Sequence, residues 1–454
     1  MNLLPNPLDW LGGRTLRIGV TGLARAGKTA FITSVAANLL AAGAGRPALP
    51  ALARRMGSRQ LRVALAPAGA GSLPRFDVAR HLASLAADPP RWPERTDAVS
   101  LLALDLQVER EAFGLPLPQT SLRLELLDYP GEWLLDLPLL RLDHAAWSDA
   151  ALRRLEQPAA APYAAEFLAF AAALPRAAGR DEHLAATGHR LYRALLHRLR
   201  DEAGLSLLQP GRFLMPSPGA PPPWLAFFPL RGAGGLAALM AERYDAYVEA
   251  VRDDLVSPLF GNLDCLVVLA DLLSPLHAGP AAFADARAAL AAASGALRWR
   301  RSWAETLLAL GQLRLPPRSI GRVAYAATKS DHVADRQRGN LAALLRALTA
   351  DEDAPGDVPA AYLAVAAVRC TEDFVWTLDD RPVSAVRGRE IGADRLTRSY
   401  PGEVPDRPPD PAFWAYPFLA LPEFEPRRPP EDGRGGVPQL GLDALLAFLL
   451  EDVL

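Results

Sequence analysis

The stretch Gly22-Leu23-Ala24-Arg25-Ala26-Gly27-Lys28-Thr29 constrains this chain more than any other. It fits G-x-x-x-x-G-K-[ST], the loop whose backbone N–H groups cradle phosphates. Residues 16–20 read as a short buried strand before it, and residues 30–40 space their apolar side chains as a helix does. A strand, a glycine-bearing loop and a helix start in that order aim N–H groups at an anion. Gly22, Ala24, Arg25, Ala26, Gly27, Lys28, Thr29 and Ala30 are therefore candidate phosphate contacts. Lys28 supplies a compact charge for the outer phosphates, and the Thr29 hydroxyl is placed to bind magnesium.

Composition sharpens this point. Of 49 lysines and arginines, only Lys28 and Lys329 are lysine. An arginine-biased composition accounts for the shortage but not for where the two lysines sit. Lys28 closes the phosphate loop, and Lys329 lies in Thr328-Lys329-Ser330-Asp331, a variant of the guanine-reading N-K-x-D motif. The planar fork of arginine cannot replace a point charge in a tight phosphate loop.

A chain of 454 residues, half of them hydrophobic, is long enough for two or three units with a substantial core. A net charge of -2 argues against nucleic acid as the main partner. Two cysteines, Cys265 and Cys370, suit a reducing compartment and show neither a disulfide framework nor metal-site spacing. His183, His189 and His197 lie in a charged helical stretch and read as solvated. The N-terminus has neither the basic start nor the apolar run of a signal peptide. No apolar run reaches the ~18 residues of a membrane span. The chain accordingly reads as cytoplasmic. Leu3, Leu4, Leu8, Trp10 and Leu11 pack either on the protein's own body or on a partner or membrane surface, which leaves peripheral contact with the inner membrane open.

Along the chain, residues 61–65 read as a strand. Residues 74–97 read as a loop ending in Glu94-Arg95-Thr96-Asp97. Thr96 is the candidate to reach magnesium and the outermost phosphate, with a capping role as the alternative. Residues 100–108 and 121–127 read as neighbouring strands. The second runs into Asp128-Tyr129-Pro130-Gly131, a D-x-x-G motif in which Asp128 would hold magnesium and the Gly131 N–H would contact the outermost phosphate. Residues 134–261 are helical in character, without strand–helix alternation. Residues 264–270 then read as a buried parallel strand. A helix over 281–310, a strand over 322–328, a helix over 341–349 and a strand over 361–368 follow. The last strand ends at Arg369 and Cys370, which are placed to line a nucleotide.

These segments divide the chain into a tail (1–13), a first nucleotide-binding part (14–133), a helical insertion (134–261), a second nucleotide-binding part (262–378), a Pro/Gly-rich irregular extension (379–436) and a C-terminal helix (437–454). The fold class is α/β: a doubly wound, mostly parallel sheet of the P-loop NTPase, GTPase-like kind, with a helical insertion. All the motifs follow strands, which puts them on the rim where such sheets bind ligands. At that rim Asp331 can accept hydrogen bonds from guanine N1–H and the exocyclic amine, while adenine offers no such donor pair. The aliphatic stem of Lys329 can lie along the base. The bland alternative for residues 328–331 is a helix N-cap with Asp331 in the first turn.

The segments G-L-A-R-A-G-K-T, W-P-E-R-T-D, L-L-D-Y-P-G-E-W-L-L-D-L-P, A-A-T-K-S-D-H-V and A-A-V-R-C-T resemble the YcjX-like bacterial stress-associated P-loop GTPases. The resemblance runs from about residue 16 to the C-terminal helix. It implies GTP and GDP binding, a GTPase-type domain with a helical insertion, and stress-response expression. It also suggests a link to a membrane protein of the YcjF type. Cys370 departs from the small residue expected at its position. Glu132 stands after D-x-x-G where Ras-like enzymes carry a water-orienting glutamine. Arg25 sits where guanylate-binding proteins and atlastins look similar, with an arginine that acts in cis on the phosphates; a solvent-facing loop arginine is the alternative. Three readings follow: a GTP-hydrolysing switch, slow without a partner; an ATP-binding NTPase or kinase; and a nucleotide-stabilised scaffold with negligible turnover.

Overall fold

The computed structural model describes residues 14–453 apart from 24, 58, 68–72, 95–98, 113–114, 216–221, 254–262, 310–319, 351–357, 394, 416–420 and 431–434. The chain forms two compact units. The first comprises Met1–Tyr129, Leu263–His277 and Ile320–Leu454; the second comprises Pro130–Asn262 and Ala278–Ser319.

The first unit is built on strands β1 (Arg14–Gly22), β2 (Leu61–Leu65), β3 (Ser100–Ala112), β4 (Leu115–Asp128), β5 (Cys265–Ala270), β6 (Arg322–Ala327) and β7 (Ala360–Ala364). They form one sheet in the order β2-β3-β4-β1-β5-β6-β7. β4, β1, β5, β6 and β7 run parallel, and β3 is antiparallel to both of its neighbours. Every residue of β5 is buried, as expected of a parallel strand covered on both faces. Ile18 and Val20 of β1, Phe31 and Val35 of the helix Lys28–Gly43, and Leu442 and Leu446 of the helix Leu442–Leu449 share one core. Each such side chain contributes about 1.5–3 kcal/mol by leaving water. The sheet is the doubly wound α/β arrangement that the sequence predicts.

One stretch corrects the sequence reading. Within the region expected to be irregular, β9 (Arg381–Arg389) and β10 (Leu396–Ser399) join β8 (Thr371–Leu378) in a three-stranded antiparallel sheet. The turn between β8 and β9 is Asp379-Asp380, both at positive φ (46° and 58°). Two residues of that handedness match the twist of the strands they connect.

The second unit carries helices His144–Leu155, Ala161–Ala173, Glu182–Asp201, Gly235–Val251 and Pro280–Ala309, with the 3-10 helix Gly131–Arg141. Its centre is aromatic: Trp147 stacks on Tyr244 at 5.3 Å, and Phe213 meets Phe227 edge-on at 5.0 Å. Asp136 is buried here, accepting from Tyr247 Oη (2.6 Å) and the Gly211 N–H (2.7 Å). Burial pushes its carboxyl up to about 6. The helix Pro280–Ala309, read from sequence as part of the nucleotide domain, groups with this unit because Asp285 accepts the N–H groups of Ser206 and Leu207. His189 is not solvated: its Nδ1 lies 3.3 Å from Phe227 O, and burial pulls its pKa down to about 4. His197 is half-buried against Arg200, and His183 is exposed. Among the described residues, no helix is long and apolar enough to cross a membrane.

Candidate nucleotide-binding site

The phosphate loop is shaped by backbone. At Gly22, the end of β1, a Cβ would come within 2.5 Å of Leu269 O on the neighbouring strand, so the close approach needs glycine. Gly27 takes the left-handed conformation (φ 81°) immediately before the helix Lys28–Gly43. Arg25 is also left-handed (φ 63°), a conformation that costs a non-glycine residue on the order of 1 kcal/mol. Its side chain is exposed. The first turn of the helix holds no acidic residue and no side-chain cap, which leaves its positive end for an anion. Lys28 Nζ lies 3.4 Å from Gly22 O. Ala26 and Thr29 are buried, and Ala30 is half-buried. Ala24 lies outside the described residues.

Asp128 closes β4, in register with Val20 of β1 and Ser100 of β3, and is 3% exposed. Along the parallel strands Gly22 pairs with Leu269, and Ala270 with Ala327. The phosphate loop, Asp128 and the Thr328–Asp331 motif therefore open on one rim. Thr96 lies outside the described residues. Gly131 and Glu132 belong to the second unit, where they begin the 3-10 helix Gly131–Arg141; Glu132 is buried.

The base loop is shaped by side chains. Lys329 (φ 58°) donates from Nζ to Asp271 Oδ2 at 2.5 Å. Asp271 follows β5 directly, and its Oδ1 accepts the N–H groups of Leu273 and Ser274. Burial alone raises the pKa of Asp271; Lys329 and Ser274 more than offset it and hold the carboxyl below its ordinary value. The sequence reading passed over Asp271, although an acid directly after a buried apolar strand, on the rim of the other motifs, was the available signal.

Asp331 is 1% exposed. Its Oδ2 accepts the N–H groups of Cys370 (2.6 Å) and Thr371 (3.3 Å) and lies 3.0 Å from Cys370 Sγ. Oδ1 takes none of these bonds. The Thr371 hydroxyl donates to Asp331 O. The Ser330 carbonyl accepts from Arg338 Nε at 3.1 Å, and Arg338 grips both oxygens of Asp373 at 2.8 Å. Thr371 and Asp373 belong to β8, so the small sheet sets the base loop in place. Arg338 and Asp373 are 35 residues apart, and no local pattern announces them.

Arg369 and Cys370, expected at the nucleotide, spend their backbone elsewhere. The Arg369 N–H donates to Pro438 O at 2.7 Å, its guanidinium reaches Asp373 at 3.4 Å, and the Cys370 N–H serves Asp331. Thr328 donates its N–H to Ala270 O, while the buried hydroxyls of Thr328 and Ser330 have no hydrogen-bond partner.

Residues 16–454 match the family described as YcjX-like family, DUF463. The chain is 34% identical to Ras-like GTPase YcjX of Escherichia coli (strain K12) over 476 residues, covering 100% of both chains. It is 33% identical to Ras-like GTPase YcjX of Shewanella oneidensis over 427 residues, 88% of this chain and 86% of the relative. With the family match spanning the sheet, the rim motifs and the C-terminal helix, and with relatives alike over most or all of their length, the chain belongs to the YcjX-like family.

Proposed function

We propose that this chain is a P-loop GTPase that binds GTP, hydrolyses it to GDP and acts as a nucleotide-dependent switch, slowly unless a partner completes the site. The observation that carries this reading is Asp331: a buried carboxylate held by two backbone N–H groups, with Oδ1 outside those bonds, on the same rim as the phosphate loop. Such a carboxylate suits the paired donors of guanine and is left unpaired by adenine. Both relatives named above are called Ras-like GTPases, which supports the same reading.

In this reading Gly22, Ala24, Ala26, Gly27, Lys28, Thr29 and Ala30 bind the phosphates, and Thr328, Lys329 and Asp331 take the base. Arg369 and Cys370 complete the base pocket, the latter by fixing Asp331. Thr29 and Asp128 offer a hydroxyl and a carboxylate, the hard oxygen donors a magnesium ion takes. Thr96 and Gly131 complete the sensing of the outermost phosphate. The ion would neutralise charge on the phosphates. Glu132 would orient the attacking water, and Arg25 would swing onto the phosphates. A role in a bacterial stress response and a membrane partner of the YcjF type belong to the same proposal and rest on the family resemblance.

Titration of the full chain with GTP, GDP and ATP, followed by phosphate release, tests the proposal. GTP and GDP are expected to bind at least a hundredfold more tightly than ATP. Equal affinity for ATP overturns the guanine assignment. Tight GTP binding with no phosphate release under any partner condition leaves a nucleotide-stabilised scaffold.

A further inference from the structure

The cysteine at position 370 brings a third kind of donor atom to the base loop. Cys370 Sγ lies 3.0 Å from Asp331 Oδ2 and 3.5 Å from His332 Nε2. The donor atoms of the three side chains all lie within 4.8 Å of one another. In a tetrahedral zinc site, with Zn–S near 2.3 Å and Zn–N or Zn–O near 2.0 Å, a sulfur and a neighbouring N or O donor sit ~3.5 Å apart. The sulfur–imidazole spacing already has this value. The sulfur–carboxylate spacing is shorter because a thiol proton bridges the pair, and metal binding displaces that proton.

The surroundings suit a cation. Asp331 and Cys370 are buried, and the backbone N–H groups of Cys370 and Thr371 fix the carboxylate. Supporting donors of that kind orient metal ligands. The ring of Phe424 stands 5.5 Å from His332 and closes that side with apolar surface. A sulfur, nitrogen and oxygen set selects zinc-class ions over magnesium or calcium, which take oxygen ligands. The spacing of 38 and 39 residues between Cys370 and its two companions hides the set from any sequence motif.

We propose that Asp331, His332 and Cys370 form a site for a thiophilic divalent cation of the zinc class, occupied in competition with guanine. The competition half rests on the reading of Asp331 as the guanine-binding carboxylate. A cation there neutralises the charge that attracts the base donors, so each occupant weakens the other by the same factor.

The test uses the full chain free of nucleotide. Zinc chloride, titrated against a chromogenic chelator, should bind at one ion per chain. Cobalt(II) in its place should give a thiolate-to-metal charge-transfer band. Cys370→Ser should abolish the band, and His332→Ala should weaken zinc about tenfold or more. Thermal unfolding without metal checks that both variants fold. Absence of stoichiometric zinc, absence of the cobalt band, or variants that bind as the unmodified chain does would overturn the site. With free zinc buffered, GDP affinity should fall as zinc rises in the unmodified chain and respond less in His332→Ala. Bound zinc with indifferent GDP affinity overturns the competition and leaves the cation site standing. Metal-free preference for GTP over ATP tests the guanine reading separately, so the two failures are distinguishable.

Discussion

The two ends of the candidate site are made of different material. The phosphate loop depends on backbone: Gly22 for a close approach to Leu269, Gly27 for a left-handed turn, and a helix start without an acid. The base loop depends on side chains, buried and half-buried: Asp271 with Lys329, Asp331 on the N–H of Cys370, and Arg338 between the Ser330 carbonyl and Asp373. A backbone device is local and transfers intact between proteins. A side-chain device is assembled from distant parts of the chain and can be tuned one member at a time. Substitutions at the phosphate end should therefore act on all nucleotides alike, and those at the base end should discriminate between bases.

The largest expected effect is Lys28→Ala. Losing charge-assisted bonds to two phosphates removes about 3–6 kcal/mol, up to ~10⁴-fold in affinity. Calorimetry should show the loss for GTP and for tripolyphosphate alike; unchanged affinity breaks the phosphate half of the comparison. Arg25→Ala comes next. If this arginine reaches the phosphates during hydrolysis, single-turnover phosphate release should slow about a thousandfold with binding little changed. Release at the original rate would leave the charge to a partner. Asp331→Asn should weaken GTP about a hundredfold and improve xanthosine triphosphate, whose carbonyl meets the new amide N–H. An unaltered ranking of the two nucleotides would break the base half. The smallest is Arg338→Ala, which should cost guanine nucleotides about tenfold or less while leaving tripolyphosphate affinity alone. Equal losses for both ligands would show that Arg338 serves the whole site.

The same contrast explains what could be read in the sequence. The placement of residues 22–29, Asp128 and Thr328–Asp331 on one rim was legible, because each follows an apolar strand directly in sequence. The mostly parallel character of the sheet followed from the strand–helix alternation, while the order β4-β1-β5-β6 is set by pairings that the sequence does not spell out. Asp271 carried a signal of its own as an acid directly after a buried strand, but its pairing with Lys329 was not legible, because the two are 58 residues apart. The β8–β9 hairpin was obscured by the Pro, Gly, Arg and Asp content of its region. Yet Phe374, Trp376 and Leu378 alternate as a strand requires, and Asp379-Asp380 supplies a turn that tolerates positive φ. Cys370 reads as a residue lining the nucleotide, and its grouping with Asp331 and His332 was not legible because the three meet only in the folded chain.

The position of β1 has a consequence for synthesis. It lies between β4 and β5, which flank residues 130–262 in sequence, and its core is shared with Leu442 and Leu446. Arg14, at its start, donates to the carbonyl of Asp452. At ~5–20 residues per second, ribosomes take roughly 20–90 s to pass from β1 to the helix Leu442–Leu449, so β1 waits that long for the last part of its cover. For that interval Leu16, Ile18 and Val20 lack their covering helix and face water or a chaperone. The loop after Gly22 is set in its final packing only on a chain made at least as far as Leu449.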